Sequence, residues 1–268
     1  MTIVTINTSN IMSLKQDQNF DNLASRFRKN IYDTDKGKIR LNILWRDFVE
    51  GIPNIEKGGL SILDAGAGQG NFALQLAQNN NQLTLCDISE EMLSDARDLF
   101  SKNNFTGGVD FIHAPVQELS QHIDKQYDVV LFHAVLEWLI DPKETLKQLL
   151  KFIKPNGYLS LMFYSKTGLI YQNLTRGNFD YVMDDSLKGH GKTLTPINPQ
   201  VPEDVYLWLT EFDLSVILKS GVRVFYDGIS RERRKQLNFE DLIKLEKQFS
   251  RKEPYCSLAR YVHVLVQK

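Results

Sequence analysis

The chain has 268 residues, 42% of them hydrophobic, which is enough for one large α/β domain or two small ones with a substantial core. Its 32 Lys and Arg offset 33 Asp and Glu to a formal net charge of -1, which excludes a globally basic nucleic-acid binder and leaves only local patches for such a partner. Cys86 and Cys256 lack C-x-x-C spacing and read as reduced packing residues, no apolar run reaches the roughly 18 residues of a membrane span, and residues 1–16 lack a signal peptide's basic start and apolar stretch, so a soluble cytoplasmic enzyme is expected.

In chain order, a flexible tail at 1–16 precedes helical periodicity at 21–28 and 38–50, the second placing Ile39, Ile43, Leu44 and Phe48 near one face. Between them 30–37 is turn-rich and able to fold over a ligand. A strand at 60–64, a crossover helix at 71–79, a strand at 83–87 and a helix at 90–100 follow, with Ser89 placed to cap the last. Further strands are expected at 109–113, 127–133 and 159–164, with a helix at 142–152 that ends in a turn at 154–157. Strands this uniformly apolar belong to a parallel sheet buried on both faces, and their alternation with helices implies a doubly wound α/β fold. The stretch 167–202 breaks the pattern; too polar for core and too long for a simple connection, it is expected to cover the carboxyl ends of the strands, the alternative being a disordered surface loop. A short helix at 205–209, strands at 214–218 and 222–226, a helix at 239–249 and a last strand at 260–266 complete the chain, and no internal repeat occurs.

The chemistry concentrates in Asp64-Ala65-Gly66-Ala67-Gly68-Gln69-Gly70 and, one helix later, Leu85-Cys86-Asp87. Glycines after a buried strand let the backbone turn tightly and approach a ligand, and an acid closing the second strand suits a ribose diol. The spacing is D-x-G-x-G-x-G rather than the dinucleotide G-x-G-x-x-G, and the acid in front would repel a phosphate but suits a cationic amino group. This pattern resembles the first motif of class I S-adenosylmethionine-dependent methyltransferases. Gly66, Ala67, Gly68, Asp87, Val116, Gln117 and His133 all follow strand ends, where open α/β sheets bind ligands. Gln117 can offer an amide to adenine or simply finish a turn, and His133 can face a ligand or be a packed, hydrogen-bonded group.

The resemblance extends beyond that superfamily. Gln18-Asn19-Phe20-Asp21, Phe132-His133-Ala134-Val135-Leu136-Glu137-Trp138, Gly177-Asn178-Phe179-Asp180-Tyr181-Val182, Gly221-Val222-Arg223-Val224-Phe225 and Arg260-Tyr261-Val262-His263 resemble segments of the bacterial tRNA 5-carboxymethoxyuridine methyltransferases, and the likeness runs from about residue 16 onward. It implies a Rossmann-like, mostly parallel seven-stranded sheet in a single domain spanning 17–268, with an insertion covering the active site at about 167–202. It also implies S-adenosyl-L-methionine as cofactor and esterification of the wobble 5-carboxymethoxyuridine in a tRNA anticodon stem-loop. Carried over by motif, the cofactor residues are Arg40, Gly66, Ala67, Asp87, Val116, Gln117 and His133, with Asp64 and Gly68 added from the turn itself. Arg40 would fork the cofactor carboxylate; without the resemblance it reads as a solvated helix face. The chain departs from the family's G-G-G-E-G at Ala67 and Gln69.

Ester formation needs no general base, because a carboxylate with a pKa of roughly 4 is already an anion at neutral pH. The protein must instead bind that carboxylate and stack an unpaired base, for which Tyr164, Arg176, Arg223 and Arg260, with Phe179 and Tyr181, are the candidates. No metal is required. Local basic groups at Lys188-Gly189-His190-Gly191-Lys192 and Arg231-Glu232-Arg233-Arg234-Lys235 are either phosphate contacts or solvated faces. The alternatives are a methyltransferase acting on a small molecule and a non-catalytic cofactor-binding regulator.

Overall fold

A computed structural model describes residues 17, 21, 34–105, 108–183, 187 and 196–268. A 17-residue helix, α1 (Asp35–Gly51), leads into a seven-stranded sheet ordered β3-β2-β1-β4-β5-β7-β6. The strands are β1 (Ser61–Ala65), β2 (Gln82–Asp87), β3 (Val109–His113), β4 (Tyr127–His133), β5 (Ile153–Tyr164), β6 (Ser215–Val222) and β7 (Tyr261–Gln267). Neighbours from β3 through β5 are parallel, while β7 runs antiparallel to both β5 and β6.

Alternation along each strand divides the core into two layers. Ile62, Leu83, Leu85, Val129, Leu131 and Met162 join Ile39, Ile43 and Phe48 of α1 on one side, together with helices α2 (Asn71–Gln78) and α3 (Glu90–Lys102). On the other side Leu63, Val130, Phe132, Leu159 and Leu161 pack on Leu146 and Leu149 of α4 (Pro142–Leu149). Each such side chain, fully buried, contributes about 1.5–3 kcal/mol against staying in water. As expected, Ser89 caps α3, its hydroxyl accepting the amide of Met92 at 3.2 Å. Asp141 does the same for α4.

Two features of this topology place the site. The strand order reverses between β1 and β4, so the carboxyl ends of those two strands open a crevice, where ligands bind in sheets of this kind. Because β7 is reversed, its first residue lies at that same end, with Tyr261 level with Tyr164 of β5 and Val222 of β6.

The sequence reading needs correction in four places. The expected turn at 154–157 does not lie outside a strand but forms an irregularity within β5, whose register with β4 jumps from Tyr127↔Ile153 to Val129↔Tyr158 while Asn156 takes φ 62°. The helix expected over 142–152 stops at Leu149 and tightens into a 3-10 turn. The strands expected at 214–218 and 222–226 are one strand ending at Val222, because Arg223 turns to φ 64° and the Glu246 carboxylate accepts the amides of Val224, Phe225 and Tyr226 at 2.7–3.0 Å, which a sheet partner would otherwise take. Residues 35–37 of the supposed turn-rich segment already belong to α1. The expected tail at 1–16 and most of the helix at 21–28 lie outside the described residues. Within the expected cover the chain forms helices α5 (Lys166–Thr175) and α6 (Phe179–Met183), and its far end is held to the strand ends by the Asn198 amide on Glu137 O and the Gln200 amide on Tyr164 O, both 2.9 Å.

Candidate cofactor and acceptor site

The chain leaves β1 through Gly66 at φ 85°, and a Cβ there would stand 2.3 Å from a Val135 methyl, so only glycine fits. Gly68, at φ 53°, has nothing within 4 Å of where a Cβ would stand, which leaves its backbone open to the crevice. Its amide donates to Asp87 Oδ2 at 2.7 Å, and the Ser89 amide donates to Asp87 Oδ1 at 2.9 Å. Burial nevertheless raises the Asp87 carboxyl above its ordinary range, against the pull of those two amides. The Ala67 side chain adds only a methyl, and its amide is tied to Cys86 O at 2.9 Å. Gln69, the other departure from the family turn, points away from any ligand role, donating to Asp95 at 2.6 Å.

A cleft lies over this turn, and every cofactor residue named from the sequence lines it except Asp64. Asp64 lines a smaller recess behind it, shared with Arg40, Phe72 and His133. The residue is 5% exposed, and its carboxyl makes no hydrogen bond among the described residues; burial, reinforced by the charge of Asp87, pushes it up to about 7. A buried, unsatisfied carboxyl is costly unless a cation completes it. The cleft thus offers an unpartnered acid and a guanidinium to the amino-acid end of a ligand, an acid with spare lone pairs to a diol, and the apolar Val116 and Leu139 to a flat ring. These groups fit S-adenosylmethionine, whose ammonium and carboxylate they match in charge.

Sequence reasoning missed three residues here. Asp17 accepts from Gln117 Nε2 at 2.7 Å and from the Ile140 amide at 2.9 Å, and it lines the cleft. Trp138 lines the wall that follows β4. Glu137 is buried beside them, its carboxyl pushed by burial to about 7 despite nearby amides and Arg40. The quoted sequence Leu136-Glu137-Trp138 contained two of these without any spacing signal to rank them.

The acceptor candidates converge on a second patch continuous with the first. Arg40 lies over the Tyr261 ring at 4.7 Å, Tyr261 meets Tyr164 edge-on at 5.1 Å, and the Tyr164 hydroxyl accepts from Arg260. Arg260 also donates to Asp227 at 3.2 Å, and one Arg223 nitrogen lies 2.6 Å from both oxygens of that carboxylate. Arg176 reaches the Asp227 carbonyl. Burial opposes the Asp227 charge, but Arg223 and Arg260 hold its carboxyl below the ordinary range. The Lys36 ammonium is pushed down by burial and then by Arg223, Arg260 and Arg234. Asp227 therefore faces several cations among the described residues, and the surplus positive charge is available to an anion. Asp227 and Tyr261 were not foreseen as site residues, because the partners that give them meaning are distant in sequence.

Of the two stacking candidates, Phe179 is 56% exposed, whereas the Tyr181 hydroxyl donates to Leu187 O at 3.2 Å. The basic group at 188–192 lies outside the described residues. In the other, the short helix α7 (Arg231–Arg234) exposes Arg231 and Arg233, while Arg234 stacks over Tyr226 at 4.2 Å.

Comparison with known proteins agrees with this geometry. Residues 56–179 match the family described as a methyltransferase domain. The chain is 40% identical over 253 residues, covering 94% of it and 97% of the other, to the tRNA 5-carboxymethoxyuridine methyltransferase of Escherichia coli strain K12. A ubiquinone/menaquinone biosynthesis C-methyltransferase of Rickettsia peacockii is 32% identical over 156 residues, 55% of this chain and 59% of that one. Among solved structures, magnesium protoporphyrin IX methyltransferase of Synechocystis with bound SAM superposes with a TM-score of 0.57 at 14% identity, over 93% of each chain, a likeness of fold. The chain belongs to the family of tRNA 5-carboxymethoxyuridine methyltransferases.

Proposed function

We propose that this member of the tRNA 5-carboxymethoxyuridine methyltransferase family esterifies the carboxylate of 5-carboxymethoxyuridine at the wobble position, within the tRNA anticodon stem-loop, in the cytoplasm. S-adenosyl-L-methionine supplies a methyl made electrophilic by its sulfonium. Asp87 holds the ribose hydroxyls, Arg40 the methionine carboxylate, Asp64 and His133 the ammonium side, and Gln117 with Val116 the adenine. The observation that carries the acceptor assignment is the run of Arg40, Tyr261, Tyr164, Arg260 and Arg223, which leads without a break from the cofactor cleft to a surplus of positive charge. Its guanidinium groups suit a carboxylate, and the exposed Phe179 suits an unpaired base.

On this reading the protein holds a carboxylate oxygen in line with the methyl and excludes water, and no side chain needs to take a proton. Positioning of this kind is worth up to about 7–11 kcal/mol in well-oriented systems. Residues 17–268 act as one unit, with the described residues of 167–202 arranged over the acceptor side. Among the described residues no helix is long and apolar enough to cross a membrane. The test is transfer of methyl label into tRNA lacking only this modification. An ester releases its label in mild alkali, whereas alkali-stable label, or label accepted only by free small molecules, overturns the assignment.

A further inference from the structure

A line of buried polar groups runs from the cofactor recess into the sheet. His133 Nε2, at the end of β4, is 2.7 Å from Ser160 Oγ on β5, which is 2.8 Å from His263 Nε2 on β7. His263 Nδ1 is 2.7 Å from Asp47 Oδ2 on α1. Ser160, His263 and Asp47 are completely buried. The other Asp47 oxygen accepts from Arg46 and Arg251, each at 2.7 Å, and from Ser220 at 3.1 Å. Burial opposes the Asp47 charge, but His263 and these guanidinium groups hold its carboxyl far below the usual range.

These contacts leave few ways to place the protons. Asp47 is ionised and only accepts, so His263 carries its proton on Nδ1. Arg46 pairs with Asp47, and Arg251 with Asp47 and Glu50, so the two acids and two guanidinium groups balance with that single proton on His263. His263 Nε2 is then an acceptor, and the Ser160 hydroxyl donates to it. Ser160 Oγ in turn accepts from His133, whose single proton must sit on Nε2. Burial, with the charge of Arg40, holds His133 neutral. Its Nδ1 has no partner among the described residues and its ring lines the recess that holds Arg40 and Asp64.

We propose that Asp47, His263 and Ser160 are positioning residues that fix His133 as its Nε2–H tautomer, so that its Nδ1 presents a lone pair to the ammonium of the cofactor. The opposite tautomer would point a donor at a donor. This rests on the cofactor reading of the cleft, but the relay itself is a property of the protein alone.

Replacing Asp47 by Asn inverts the relay at almost constant shape, as exchange of an orienting Asp for Asn does in other hydrogen-bonded triads. In Asp47→Asn the amide donates to His263 Nδ1, His263 donates through Nε2 to Ser160, Ser160 donates to His133 Nε2, and the His133 proton moves to Nδ1. Nitrogen-15 spectra of the imidazole rings in the ligand-free protein should show Nε2–H for His133 in the wild type and Nδ1–H in Asp47→Asn. S-adenosylmethionine affinity should fall roughly tenfold or more, the worth of one hydrogen bond to a charged group. Affinity for methylthioadenosine, which lacks the amino-acid end, should not change. Ser160→Ala should abolish the tautomer preference and make a further Asp47→Asn change silent at His133, and it serves if the Asn variant does not fold. An Nδ1–H His133 in the wild type overturns the proposal, as does equal weakening of both ligands with no change of tautomer. If His133→Ala leaves cofactor affinity unchanged while the wild-type spectra show Nε2–H, the relay stands and the cofactor assignment of His133 falls.

Discussion

The two halves of the site are built with opposite charge. Among the described residues, the cleft over the glycine turn gathers Asp64, Asp87 and Glu137 around the Arg40 guanidinium, while the patch beyond Tyr261 gathers Arg223, Arg260, Arg176, Arg234 and Lys36 around Asp227. A cationic methyl donor and an anionic acceptor are the pair of ligands such a division accommodates, and the transfer between them cancels both charges. In a partly buried site of low effective dielectric, that cancellation is worth more than it would be in water. The division also makes the two halves separable by experiment, since each should fail with its own ligand.

The largest effect is expected from Asp87→Ala. Losing the proposed acceptor of both ribose hydroxyls, and the anchor of the Gly68 amide, should weaken cofactor binding by about 3 kcal/mol, with tRNA binding little changed. Calorimetry on the folded variant checks this, and unchanged cofactor affinity would remove Asp87 from the cleft's function. The mirror experiment is Arg260→Ala, which should cost about 2 kcal/mol in kcat/KM for modified tRNA and leave cofactor affinity within twofold. If 5-methoxyuridine tRNA, which lacks the carboxylate, binds wild type and variant alike, the lost interaction is with the carboxylate. Loss of cofactor affinity instead would merge the two regions.

Asp64 sharpens the comparison through pH. Its carboxyl lies near 7 in the protein, above the usual value of roughly 3.9 for an Asp in an unfolded chain. The folded state therefore binds the proton more tightly, so this group contributes a stability that is present in acid and lost as pH rises from about 4 to 7. An ammonium ligand needs the ionised form, so cofactor affinity should rise by up to about tenfold per pH unit below 7 and level off above it, with proton uptake by buffer on binding. Asp64→Asn should flatten that profile. The smallest expected effect is at Arg231 and Arg233, whose joint replacement by Gln should reduce the salt dependence of tRNA affinity by roughly one to two phosphate contacts and leave the weak salt dependence of cofactor binding unchanged.

The same contrast divides what could be read from the sequence. Part of the cofactor half was legible because its residues are local, namely one glycine turn, one acid after the next strand, and positions directly after strands whose periodicity is strong; Arg40 came only through the family resemblance, and Asp17, Glu137 and Trp138 carried no spacing signal. Asp64 through Asp87 span a single β-α-β unit, and their proposed roles follow from spacing. The acceptor half is assembled across β5, β6 and β7, and its logic appears only when the reversed strand sets Tyr261 beside Tyr164. Asp227 is the clearest case, an acid in an ordinary-looking turn until Arg223 and Arg260 close on it. The misplaced strand at 222–226 has the same origin, since Glu246, 20–22 residues away, takes amides that apolar periodicity assigned to a sheet.

The anchors of the cleft have a consequence for turnover. As proposed, Asp87, Arg40 and Asp64 grip the ribose, the carboxylate and the ammonium, and none of these groups changes when the methyl leaves. The demethylated cofactor keeps every one of those grips and loses only the sulfonium charge. It should therefore compete closely with the fresh donor, so that the enzyme's throughput follows the ratio of the two in the cell rather than the supply of donor alone.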